Sequence, residues 1–205
     1  MRIVLITSAA LAALTMSASA DTRDISGFTG VGVSDHIAVE IATGPAYTVE
    51  VTGSDAARVR TRVEHGSLQI SDARRPWFGQ APRLDATVRI TMPRVERLAA
   101  ARGAEVAARD VNADELSIAA AMGGQLEVSG TCSALSAAAA MGGVIDAGEL
   151  HCATAEVSAA MGGAAEIYAS QSYEASAVMG GAIDIAGEAQ RGEVSTVMGG
   201  AVQHH

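Results

Sequence analysis

Two cysteines, a series of spaced carboxylates and one segment rich in arginine and aromatics are the residues of this 205-residue chain whose types and spacing could do chemistry. Cys132 and Cys152 each stand nine residues ahead of a Met-Gly-Gly triplet, at Met141 and Met161. If successive repeats stack as β-strands, equivalent residues lie about 4.8 Å apart, inside the Cα separation that a disulfide tolerates. The competing reading is two reduced thiols in a core. His151 next to Cys152 invites a metal or thiolate-imidazole reading, but neighbours in a strand point to opposite faces.

Glu127, Asp146, Glu166 and Asp184 each stand five residues after such a methionine. Stacked carboxylates repel by about 1 kcal/mol per pair in water. A divalent cation, which takes hard carboxylate oxygens, could relieve that repulsion. A solvated acidic face that keeps an apolar rod dispersed is the simpler account of them. Between Ser71 and Leu84 lie the only Trp and two of the four prolines. Trp77 and Phe78, flanked by Arg74, Arg75 and Arg83, make a contact surface for a protein or glycan, or else a cover over one end of the structure. Catalytic templates are absent: there is no Gly-x-Ser-x-Gly elbow, no His-Glu-x-x-His and no glycine-rich phosphate loop ahead of a helix. Ser34-Asp35-His36 has the residue types of a triad but at adjacent positions, which cannot converge from one strand. No catalytic residue is assigned.

The elements that position these groups follow from the repeat. Ala-Met-Gly-Gly or Val-Met-Gly-Gly occurs at Met122, Met141, Met161, Met179 and Met198, at intervals of 19, 20, 18 and 19 residues, with Arg102-Gly103 as a degenerate earlier copy. A period in this range marks stacked-coil architectures. The glycine pairs, Gly123-Gly124, Gly142-Gly143, Gly162-Gly163, Gly180-Gly181 and Gly199-Gly200, are the corners. Apolar residues alternate on both sides of them: Ile118, Ala137, Val157, Ala175 and Val194 four residues before the methionine, Leu126, Ile145, Ala165, Ile183 and Val202 four residues after it. Two short strands joined by a corner, once per coil, with no helical period, predict a parallel β-helix. Even spacing from these inward columns places the methionines in the core as flexible fillers; a flip at the corner would instead expose them. Residues 27–92 also alternate with period two, as in Val31-Gly32-Val33, Ile37-Ala38-Val39 and Val88-Arg89-Ile90, and need no helix.

Residues 1–20 read as a signal peptide: Arg2, an apolar run to Met16, then Ser17-Ala18-Ser19-Ala20, with cleavage expected after Ala20. No later run spans a bilayer, which places the remaining chain in the periplasm or outside the cell. The remainder reads as one domain, residues 21–100 as N-terminal strands and 101–205 as Met-Gly-Gly coils. Apolar residues are 49% of the chain but aromatics only 3%, so the core is built from small side chains that suit narrow coils. All 14 basic residues are arginine. Residues 110–205 hold Arg191 alone against 12 acids, which excludes nucleic acid as a partner of the repeats, because phosphate binding needs clustered positive charge.

The order of motifs from Phe28 onward (Val31-Gly32-Val33, Ile37 to Ile41, Tyr47 to Gly53, Leu68-Gln69-Ile70, Val88 to Pro93, then repeated glycine corners) resembles the bacterial-envelope family named "putative auto-transporter adhesin, head GIN domain". The family's corner is commonly Ser-Gly-Ser-Gly; here methionine replaces a glycine. The resemblance implies a right-handed single-stranded β-helix of about 19 residues per coil and an envelope location, and it implies no activity. The resulting expectation is a non-enzymatic binding or structural module, adhesin-like, with a protein or glycan partner and no cofactor beyond the cation that the carboxylates could take. Two other readings stay open. One is a polysaccharide-active enzyme using the stacked Asp and Glu. The other is a self-assembling scaffold, since Val202-Gln203-His204-His205 offers no evident cap and open strand edges invite association.

Overall fold

The computed structural model describes residues 21–74 and 83–205. In chain order the strands are β1 (Asp21–Thr22), β2 (Gly30–Ser34), β3 (Ala38–Thr43), β4 (Thr48–Thr52), β5 (Val59–Glu64), β6 (Ser67–Asp72), β7 (Thr87–Met92) and β8 (Arg97–Ala101). They continue as β9 (Glu105–Ala121), β10 (Gln125–Ala140), β11 (Val144–Ala160), β12 (Ala164–Val178), β13 (Ala182–Ala186), β14 (Arg191–Val197) and β15 (Ala201–His204). Among the described residues the only helical turn is Ala56–Arg58, and no helix is long and apolar enough to cross a membrane.

The fold is a parallel β-solenoid. β9, β10, β11 and β12 pair in parallel, and each bends midway at a register shift, so that each contributes a face to two successive coils. β13 and β14 pair with the two halves of β12, and β15 closes on β13. The inward columns are those the sequence alternation assigns: Ile118, Ala137, Val157 and Ala175 are buried on one face, Leu126, Ile145, Ala165 and Ile183 on the other. Burying apolar area at roughly 25 cal/mol per Å² makes these columns the main source of stability.

At the N-terminal end the stacking order departs from chain order. β2 lies between β6 and β8, and β3 lies between β7 and β9. The coil made of β2 and β3 is therefore inserted between the coil of β6 and β7 and the coil of β8 and β9. β4 and β5 run antiparallel on β7 and β6, and β1 adds to β4, so this end is finished by antiparallel strands. The large side chains gather here: Phe28, Ile37, Leu68, Ile90, Met92 and Leu98 are all fully buried.

The corners correct one expectation. Met122, Met141, Met161 and Met179 are 46–48% exposed and Met198 is 76% exposed, so the methionines line the surface. The reason lies in the backbone. Each methionine has φ near +50°, the glycine after it has φ of 74° to 80°, and the second glycine's N–H donates to the carbonyl that precedes the methionine, at 2.9 Å for Gly143 to Ala140. Two positive-φ residues closed by that bond form a type I′ turn, which breaks the period-two alternation and turns the methionine outward. The two glycines serve different needs. Gly142 supplies φ of 75°, whereas a Cβ on Gly143 would strike the Ala120 carbonyl oxygen of the preceding coil.

Two substitutions separate these effects. Met141→Asn, which suits positive φ, raises stability by about 1 kcal/mol, whereas Gly143→Ala lowers it by about 1–3 kcal/mol through backbone overlap. Urea denaturation of both variants checks the opposite signs.

Candidate binding surface

Three adjacent columns on the β9–β14 face form a groove that runs along the solenoid axis. Its floor is the backbone of Leu116, Leu135, Ala155, Tyr173 and Gly192, a column whose first three side chains are buried in the core and whose Tyr173 packs against it; on one side stand Glu115, Ala134, Thr154, Ser172 and Arg191, on the other Ser117, Ser136, Glu156, Glu174 and Glu193. Arg94 and Arg97 line its N-terminal end, and Arg97 stacks on Ser117. The hydroxyls and carboxylates repeat at the rung spacing of about 4.8 Å. Gly192 leaves room for the Tyr173 ring, which a Cβ there would strike, and the ring also lies 5.2 Å from that of His204. The groove is thus acceptor-rich, with arginines beside carboxylates at both ends, Arg94 and Arg97 at one and Arg191 at the other. Sequence reasoning missed the groove, because counting from the methionines gives columns but not how the two halves of each bent strand sit against one another.

The other candidate residues sit elsewhere. Glu127, Asp146, Glu166 and Asp184 form one outward ladder on the opposite face, with His205 against Asp184 at 3.1 Å. Among the described residues no three His, Cys, Asp or Glu side chains converge as metal ligands. Cys132 stacks on Cys152, and the two are joined in a disulfide with Cα atoms 4.5 Å apart. His151 points away from that bond, edge-on to Tyr168 at 4.4 Å. Arg75, Trp77 and Phe78 lie outside the described residues. Arg74 donates its backbone N–H to Asp72 at 2.9 Å, and Arg83 pairs with Glu105 on the surface.

The structure also brings together a set that the sequence reading left apart. Asp35 and His36, with φ of 70° and 56°, form the corner of the inserted β2–β3 coil and so stand in the same column as Arg102-Gly103 and the methionine corners. Arg102 Nε donates to the buried Asp35 at 2.8 Å, and Ser34 adds a hydroxyl at 3.1 Å. Asp72, also buried, receives Arg58 at 2.6 Å. The available signal was an arginine in the methionine column, but its partner lies 67 residues away.

The family model described as "Putative auto-transporter adhesin, head GIN domain" matches residues 27–189. The chain belongs to this family. A crystal structure described as a "putative adhesin" from Bacteroides fragilis NCTC 9343 is similar to this GIN domain, covering 93% of this chain and 98% of that one at 16% identity and a TM-score of 0.70; that likeness shows the fold. A structure described as a "putative lipid binding protein" from Parabacteroides distasonis ATCC 8503 covers 92% of this chain and 97% of that one at 18% identity and a TM-score of 0.49. A "putative adhesin" from Parabacteroides merdae ATCC 43184 covers 93% and 97% at 15% identity and a TM-score of 0.48. No curated protein matches.

Two predictions concern what holds this GIN domain together. The disulfide closes a segment with a sequence separation of 20, so Cys132→Ser with Cys152→Ser, or reduction, lowers stability by up to about 3 kcal/mol; calorimetry with and without reductant checks it. Burial alone would push the Asp72 carboxyl up, but the Arg58 guanidinium and the Arg74 N–H outweigh it and hold it below its usual value of 3.8. A carboxyl depressed in the folded state adds stability above its unfolded pKa, and that stability is lost as pH falls through the folded value. Asp72→Asn is accordingly less stable than the parent at pH 7, and the gap narrows below pH 3.8. Denaturation curves collected across pH check the convergence.

Proposed function

We propose that the protein is a non-enzymatic binding module of the bacterial envelope, exported by residues 1–20, cleaved after Ala20, and holding an extended glycan along the axial groove. The observation that carries this reading is the groove itself: it runs across successive coils and sets polar side chains of varied type one rung apart along its length, which suits a linear polymer better than a compact ligand. Its chemistry fits hydroxylated chains. Ser117, Ser136, Thr154 and Ser172 both donate and accept hydrogen bonds, and Glu156, Glu174 and Glu193 accept them from sugar hydroxyls. The excess of carboxylates disfavours a polyanion. Membership of a family described as adhesins supports a binding role.

The test is retention of size-fractionated envelope polysaccharide by the immobilised protein, combined with analysis of polymer length after incubation. Binding that weakens at least roughly tenfold in the double variant Glu156→Ala, Glu174→Ala, two exposed groove carboxylates, with polymer length unchanged, is the expected result, since a hydrogen bond to a charged group is worth about 1.5–3 kcal/mol. Shortening of the polymer would replace this reading with an enzyme, and retention indifferent to the loss of Glu156 and Glu174 would remove the groove from it. N-terminal sequencing of the exported protein, expected to begin at Asp21, checks the leader.

A further inference from the structure

The methionine corners have a property that turn chemistry does not require. Both central positions of a type I′ turn favour Asn, Asp or Gly, and an L side chain at positive φ is disfavoured by about 1–2 kcal/mol. Met122, Met141, Met161, Met179 and Met198 nevertheless all occupy that position with φ of 50° or 51°. Recent copying of the repeat does not explain the identity, because neighbouring columns have diverged: five residues earlier the chain reads Ser, Ser, Glu, Glu and Glu, and six residues earlier Leu, Leu, Ala, Tyr and Gly. Apolar character does not explain it either, because leucine is as apolar and occurs at none of the five. What methionine alone supplies is a thioether.

The corners stack in register. Met141 N–H donates to Ala160 O at 3.2 Å, Met161 N–H to Val178 O at 3.2 Å and Met179 N–H to Val197 O at 3.1 Å, tying each corner to the next coil. Successive methionines therefore stand one rung apart, about 4.8 Å. Two metal–sulfur bonds of about 2.3 Å placed in line span about 4.6 Å, so neighbouring thioethers can clamp one ion with the backbone left in place. Thioethers select soft ions such as Cu(I) over Zn(II) or Mg(II). Cys132 and Cys152 are bonded to each other and leave no thiol to compete, and the acidic repeat half raises the local concentration of cations. We propose that the exposed methionine edge binds soft monovalent metal ions, Cu(I) or Ag(I), between thioethers of successive coils. At its N-terminal end the column passes to Arg102, which is paired with Asp35 and offers no soft donor.

The probe is Ag(I), which needs no reductant and so leaves the disulfide intact, added in chloride-free buffer to the oxidised protein carrying 13C-methyl methionine. The five exposed methyl resonances, assigned through single Met→Leu variants, are expected to shift, while that of the buried Met92 does not and Zn(II) shifts none. Met141→Leu leaves Met122 with no thioether neighbour, so Ag(I) binding at Met122 weakens at least roughly tenfold through loss of the second tethered donor, while Met179 and Met198 respond as before. Each single variant keeps an apolar side chain at an exposed turn, and circular dichroism confirms its fold. If Ag(I) moves none of the five methyls, or if Met122 responds equally well in Met141→Leu, the proposal is overturned.

Discussion

The corner is the constraint on which the rest of the solenoid depends. A coil can stack on its neighbour only if every corner returns the chain to the same register, and the type I′ turn does this with two residues at positive φ and one closing hydrogen bond. The second glycine lets the corner approach the carbonyl of the coil before it, as Gly143 approaches Ala120. Once that approach is made, the strand registers on both sides follow, and with them every column of side chains. The groove, the acidic ladder, the disulfide and the methionine edge are all consequences of one repeated backbone geometry.

Such an assembly is stable only through its neighbours. Each coil buries mainly alanine, valine, leucine and isoleucine against the coils beside it, so stability is close to a sum of interfaces between adjacent coils. The two ends of that sum differ. Around β2, β6 and β7 the core holds Phe28, Leu68, Ile90 and Met92, and buried Asp35 and Asp72 are held by Arg102 and Arg58. Breaking one partner of such a pair leaves an uncompensated buried charge, which makes the N-terminal coils resistant to sliding. Farther along, where the core is mostly alanine, the Cys132–Cys152 bond ties neighbouring rungs covalently.

Much of this was legible in the sequence because a solenoid turns sequence period into spatial neighbourhood. Counting from each methionine located the buried columns, the outward ladder from Glu127 to Asp184, the degenerate corner at Arg102 and the stacking of Cys132 on Cys152. Three features were not legible, each for its own reason. The outward turn of the methionines depends on φ at the corner, which parity counting through the turn cannot supply. The insertion of the β2–β3 coil out of chain order depends on pairing between strands that share no repeat with the later coils. Asp35 and Arg102 fall in one column only after that insertion is known, so Ser34-Asp35-His36 read as a failed triad when it is a corner.

Charge along the outward ladder shows how the fold limits repulsion between stacked carboxylates. The column runs Arg89, Glu40, Ala107, Glu127, Asp146, Glu166, Asp184 and Gln203. At one end Arg89 donates to Glu40 at 2.8 Å, and Ala107 then separates that pair from the carboxylates. At the other end Asp184 meets His205 and Gln203 adds no charge. The repulsion is confined to the middle rungs, where exposure to water holds it to about 1 kcal/mol per neighbouring pair. Glutamate and aspartate alternate there, so neighbouring carboxyl groups stand at different distances from the backbone. The acidic face is therefore stable as it stands, and it disfavours anionic partners there. The axial groove differs from it in setting arginines and hydroxyls among its carboxylates.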